Sequence, residues 1–83
     1  KIEFMEKKYI LKLRDINTGE ISYVEDLQAV EPKFYITSLV KDKSLAKVLV
    51  INEDLVPEVL RDISKNMDYP DPDMYVFILE QVD

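Results

Sequence analysis

The sequence of 83 residues has room for one domain and not for two, and its hydrophobic fraction of 47% is that of a folded protein. It contains no cysteine, no histidine and one glycine. This excludes a disulfide framework, the common Ser-His-Asp and Cys-His catalytic arrangements, and glycine-rich phosphate-binding loops.

The first element from the N-terminus is a predicted strand over residues 2–13, where β-branched and aromatic side chains alternate too regularly for a helix. The turn after it holds Gly19, which accepts the positive φ of a hairpin turn, and residues 21–24 form the returning strand. One face of the first strand carries Met5, Tyr9, Leu11 and Leu13, and the other carries Ile2, Phe4 and Ile10.

Residues 25–51 contain a connection that can be interpreted in two ways and a second predicted hairpin. Residues 25–31 favour a single helical turn ended by Pro32, and an irregular connection is the alternative. Two apolar runs, 34–40 and 45–51, flank the polar residues 41–44, a pattern that predicts a second hairpin with a longer, charged turn.

One amphipathic helix is predicted, because apolar residues recur every four positions from Leu55 to Met67. Its start lies near Asp54, since proline is tolerated only in the first turn of a helix and Pro57 follows closely. The side chain of Asn52 or Asp54 can cap this end of the helix.

Residues 69–73, with two prolines, end the helix, and residues 74–82 form the last strand. The fold class is therefore α+β, with a mainly antiparallel five-stranded sheet in the order β-β-β-β-α-β. Residues 47–51 and 74–79 are apolar on both faces, as is typical of strands in the middle of a sheet. One helix covers only about half of one sheet face. We expect the sheet to curl into a partial barrel, and the alternatives are that a second copy or a different partner covers it.

Because histidine and cysteine are absent, carboxylates are the main candidates for catalysis or metal binding in the chain. Glu80 and Asp83 come closest to a catalytic pair but lack the apolar surroundings that would raise a carboxyl pKa. Asp68, Asp71 and Asp73 resemble calcium ligands in spacing, but a calcium loop needs a glycine where this segment has prolines. We expect no enzymatic activity, no metal site and no cofactor.

Charge is distributed unevenly along the chain. Residues 1–51 carry nine basic and eight acidic side chains (net +1), whereas residues 52–83 carry two basic and nine acidic ones (net −7). Such an acidic segment repels nucleic acid and membrane phosphates and attracts a basic protein surface. The predicted docking surface is the wet face of the helix with the loop after it, and its residues are Glu58, Asp62, Asp68, Tyr69, Asp71 and Asp73.

These patterns predict a small acidic protein–protein binding module of the cytoplasm, regulatory or inhibitory in role. The cytoplasm is expected because a small secreted domain usually needs disulfides, and no apolar run reaches the ~20 residues of a membrane span. Two alternatives remain open: a nucleic-acid-mimicking inhibitor of a DNA- or RNA-binding protein, and a homodimeric structural protein that uses its sheet face. The charge pattern is also compatible with a role in solubility alone.

Overall fold

A computed structural model describes residues 5–83, which form an α+β fold with one mixed six-stranded sheet and one α-helix. The elements are β1 (Glu6–Asp15), β2 (Ile21–Val30), β3 (Lys33–Val40), β4 (Leu49–Asn52), α1 (Val56–Asn66), β5 (Met67–Tyr69) and β6 (Tyr75–Val82). The predicted α+β class is confirmed, and the sheet has six strands instead of the predicted five. The predicted sheet lacked β5, which pairs in parallel with β3. Ile2 and Phe4, assigned to the first strand, lie outside the described residues.

β1 is the central strand because both of its edges are paired. One edge pairs antiparallel with β6 over eight residue pairs. The other edge is shared, since β4 pairs with the first half of β1 and β2 pairs with the second half. Leu11 and Leu13 in β1 are accordingly 1% and 0% exposed.

β4 and β6 lie at the edges of the described sheet, each paired with β1 alone. The expectation that residues 47–51 and 74–79 occupy the middle of the sheet is therefore wrong. β1 takes that place although Lys8, Lys12 and Arg14 project from one of its faces. Lys8 and Arg14 are exposed there, whereas Ile10 on the same face is 2% exposed and Lys12 is partly buried beside Glu80, so this face is covered in part.

The first hairpin is confirmed, with β1 and β2 joined by a tight turn. Gly19 has a φ of 76° and donates its N–H to the carbonyl of Asp15 at 2.8 Å. The Asp15 carboxylate accepts the N–H groups of Asn17 and Thr18 at 2.8 and 3.2 Å. The turn is thus specified locally, by a glycine that tolerates positive φ and an aspartate that satisfies backbone donors.

β2 continues to Val30, so neither the helical turn nor the irregular connection predicted for residues 25–31 forms. The register of β2 against β3 shifts on both sides of Asp26, which marks a bulge where β2 leaves β1. Beyond the bulge, β3 supplies the backbone partners of residues 27–30. Strand pairing therefore overrides a weak local preference.

The predicted second hairpin is also wrong, since β3 and β4 are not paired with each other; β3 has β2 on one edge and β5 on the other. Residues 41–48 connect β3 to β4 through a 3-10 turn, which Asp42 caps by accepting the N–H of Ser44 at 2.9 Å. The N–H of Lys47 then donates to the carbonyl of Val24 at 2.8 Å. This connection brings β4 to the half of β1 that β2 leaves unpaired.

α1 follows a 3-10 turn at Glu53–Leu55, in which the Asn52 side chain accepts the N–H of Asp54 at 3.0 Å, and Pro57 lies in its first turn as predicted. The helix ends at Asn66. Met67, predicted as its last apolar position, is buried but belongs to β5.

A hydrophobic core lies between α1 and one face of the sheet, which we call the helix-side face. Its buried members are Leu11, Leu13, Val24, Ile36, Ile63, Met67 and Phe77. The sheet is not closed into a barrel, and the expected curling into a partial barrel stays a prediction. The other face, which carries Lys12, Val76 and Glu80, we call the open face.

Candidate partner-binding surface

The helical part of the predicted surface consists of Glu58 and Asp62. Both are exposed, and because they lie four residues apart on α1 their side chains are neighbours. Neither forms an ion pair with a described residue. Arg61 and Lys65 share this side of the helix, so the acidic pair lies beside positive charge towards the helix C-terminus.

The loop part of the predicted surface forms more ion pairs and hydrogen bonds within the protein than the helical part does. The carboxylate of Asp68, in β5, forms an ion pair at 3.3 Å with the Nζ of Lys33, in the neighbouring strand β3. Asp71 accepts the N–H of Asp73 at 3.0 Å and so caps the 3-10 turn at Pro72–Met74. Tyr69 is 66% exposed. Asp68 is therefore partly neutralised, and Asp71 has a local structural role as well as a charge.

The six predicted residues thus form two groups, the helical pair and the segment from Asp68 to Asp73. No hydrogen bond or ion pair among residues 5–83 joins one group to the other. Within this part of the chain there is also no cluster of three or more acidic side chains placed to hold a metal ion.

An apolar cleft of about 350 Å³ lies beside the helical pair, between α1, β4 and the hairpin of β2 and β3. The helix contributes Val59 and the buried Ile63, the hairpin contributes Leu27 and Phe34, and β4 contributes residues 49–51. The cleft opens where β2 bends away from β1, because β4 and the hairpin diverge there. Its volume lies at the lower end of the ~300–1,000 Å³ typical of ligand sites.

Asp62 is the single charged side chain among the described residues that line this cleft. The sequence pattern places Asp62 on the wet face of the helix, but it does not indicate the apolar cleft. The cleft depends on the bulge at Asp26 and on the pairing of β4 with β1, neither of which has a local signal in the sequence.

Glu80, the nearest approach to a catalytic carboxyl in the sequence, is engaged by two lysines on the open face. Its side chain accepts a hydrogen bond from Lys12 at 2.9 Å and another from Lys43, which reaches it from the β3–β4 connection. The bond from Lys43, followed by that from Lys12, holds the pKa of Glu80 below its ordinary value. The carboxylate therefore stays ionised at neutral pH, where a general acid would have to be protonated.

The Glu80 contacts make a testable contribution to acid stability. A carboxyl whose folded-state pKa lies below its unfolded value stabilises the fold above the unfolded pKa, and this stabilisation is lost as the pH falls through the folded pKa. We expect wild type to have a higher urea midpoint than Glu80→Gln at about pH 7, with the difference shrinking below about pH 4.5. Urea titrations of both proteins between about pH 7 and pH 3 measure it, with Glu6→Gln as an exposed control. A difference independent of pH would show that the charge of Glu80 is unimportant.

The open face also carries exposed apolar side chains. Val50 and Val76 are 60% and 39% exposed, and the register places Val50 opposite Lys8 and Val76 opposite Arg14. Lysine and arginine side chains therefore interrupt the apolar surface. Self-association through this face remains a prediction.

No known protein family, curated protein or solved structure matches this chain. No helix among residues 5–83 is both long enough and apolar enough to cross a membrane.

Proposed function

We propose that this protein is a small acidic binding module that docks onto a basic surface of a partner protein, in a regulatory or inhibitory role. The observation that carries the proposal is the incomplete neutralisation of the acidic segment. Among the described residues, lysines within 5–51 pair with three of the nine acidic residues in 52–83, which are Glu53, Asp68 and Glu80. Glu58, Asp62, Asp71 and Asp73 are among the acidic residues that have no such pair within residues 5–83.

Unpaired exposed carboxylates favour encounter with a basic partner more than they tighten the final complex. Charges at the surface are screened by salt, with a Debye length of about 10 Å at 0.1 M. Binding through Glu58 and Asp62 should therefore weaken as the salt concentration rises. A nucleic-acid mimic is the special case in which the basic surface of the partner normally holds phosphates, and displacement of the partner by DNA or RNA would identify it.

The proposal is tested by reversing the helical pair in Glu58→Lys/Asp62→Lys. Wild type and variant are immobilised and exposed to a lysate of the source organism at about 0.05 M and about 0.5 M salt. We expect at least one basic protein to bind wild type in a salt-sensitive way. Its affinity for the variant should be about tenfold lower, because two surface ion pairs contribute about 1–2 kcal/mol together.

Glu6→Lys/Asp83→Lys is the matched control, since both residues are exposed, neither is ion-paired with a described residue, and the net charge changes equally. The control should keep the partner. Equal losses in both double variants would mean that only the overall charge matters. Full retention by the Glu58→Lys/Asp62→Lys protein would show that the partner binds elsewhere.

A further inference from the structure

The cleft beside α1 has a second feature besides its apolar lining, which is an unpaired strand edge. Three consecutive residues of β4, 49–51, line the cleft. Side chains of consecutive residues in a strand point to opposite faces. Because all three residues line the cleft, we infer that the cleft runs along the edge of β4 and not over one face of the strand.

That edge of β4 is not hydrogen-bonded by any described strand, because β4 pairs with β1 alone. The neighbouring part of β2, beyond the bulge at Asp26, pairs with β3 and with no other described strand. The cleft therefore combines free backbone donors and acceptors with an apolar interior. These are the two elements of recognition by strand addition, in which the main chain supplies affinity and pockets select side chains.

We propose that this cleft binds an extended segment of a partner protein in which a large apolar residue is followed two positions later by lysine or arginine. The segment lies along the free edge of β4, and the apolar side chain enters the cleft against Val59 and Ile63. Residues two apart in a strand face the same side, so the basic side chain then reaches Asp62 at the rim.

The choice of a basic residue rests on charge complementarity. Asp62 is exposed, forms no ion pair with a described residue and lies one helical turn after the equally unpaired Glu58. A segment with an acidic residue at the same place would meet the Asp62 carboxylate, with Glu58 one helical turn away. The inference rests on the proposed function, and it names the anchor through which the acidic helix would hold its partner.

The test uses short blocked peptides and the whole isotope-labelled chain. The probe is acetyl-Thr-Phe-Thr-Arg-Thr-amide, compared with peptides that carry glutamate in place of arginine or alanine in place of phenylalanine. We expect the probe to shift the backbone amide resonances of residues 49–51, Leu27 and Ile63. It should bind about fivefold more tightly than the glutamate peptide, which corresponds to the ~1 kcal/mol of one favourable surface ion pair. The alanine peptide should cause no saturable shift.

Asp62→Asn is the variant that separates charge from shape. It should remove the preference for arginine over glutamate while keeping the shifts that depend on phenylalanine. The inference is overturned if the probe causes no shift at millimolar concentration, if the shifts map outside the cleft, or if arginine and glutamate peptides bind wild type equally. If the cleft fails in this way while Glu58→Lys/Asp62→Lys still loses its lysate partner, acidic docking stands without strand addition.

Discussion

Leu13→Ala is expected to lower the free energy of unfolding by about 2–5 kcal/mol, the range for removing a buried leucine side chain without refilling its space. Leu13 is 0% exposed and lies in the central strand, where its side chain packs in the core with Leu11 and Phe77. A small domain has a total stability of only about 5–15 kcal/mol, so this loss is a large share of the total. Urea denaturation followed by circular dichroism measures it.

Leu45→Ala is the matched control, because it makes the same chemical change at a side chain that is 52% exposed. Exposed substitutions usually change stability by no more than about 0.5 kcal/mol. Similar losses in the two variants would contradict the assignment of Leu13 to the core. If Leu13→Ala proves to be unfolded at 25 °C while Leu45→Ala remains native, the prediction is met at its upper limit.

Phe77→Ala should have the second large effect, a loss of about 3–5 kcal/mol, because Phe77 is 7% exposed and belongs to the core on the helix-side face. Its neighbour Val76 lies on the open face and is 39% exposed. Val76→Ala should therefore cost no more than about 0.5 kcal/mol. Thermal and urea unfolding of the two variants, made side by side, give the comparison.

This pair of variants decides how β6 is covered. A strand in the middle of a doubly covered sheet would lose stability from truncation on either face, as the continuous apolar run of residues 74–79 suggests. An edge strand with one buried face loses stability only when Phe77, on that buried face, is truncated. A loss above about 2 kcal/mol for Val76→Ala would mean that the open face is covered, by a second copy or by another partner.

The elements predicted correctly are those whose signals are local. The first hairpin follows from Gly19, and the helix follows from a four-residue apolar repeat and from the position of Pro57. Each of these signals acts within a few residues of its own position, so neighbouring residues are sufficient to identify it.

The errors concern which strands pair with one another. Residues 25–30 mix polar and apolar side chains in a pattern that suits a helical turn, and the pairing with β3 makes them a strand. The rule that successive strands form hairpins failed for β3 and β4, because β2 already occupies one edge of β3 and β5 occupies the other. Such competition between distant partners leaves no mark on any short stretch of sequence.

The candidate site was predictable in its charge and not in its shape. Glu58 and Asp62 follow from helical periodicity, which places them opposite the apolar stripe. The lysine partner of Asp68 and the capping role of Asp71 depend on a strand pairing and on a turn geometry that the sequence does not specify. The cleft beside Asp62 exists only because two strands divide one edge of β1 between them.

The pairing of β1 with β6 joins parts of the chain that are far apart in sequence, from Asp15 opposite Tyr75 to Lys8 opposite Val82. Closing a loop of sixty or more residues costs more chain entropy than closing the short loops of the β1–β2 and β2–β3 hairpins. Topologies dominated by such distant contacts fold slowly for their length. During synthesis, the edge of β1 that pairs with β6 can be hydrogen-bonded only after β6 has left the ribosome. Phe77 can complete the core only at that stage.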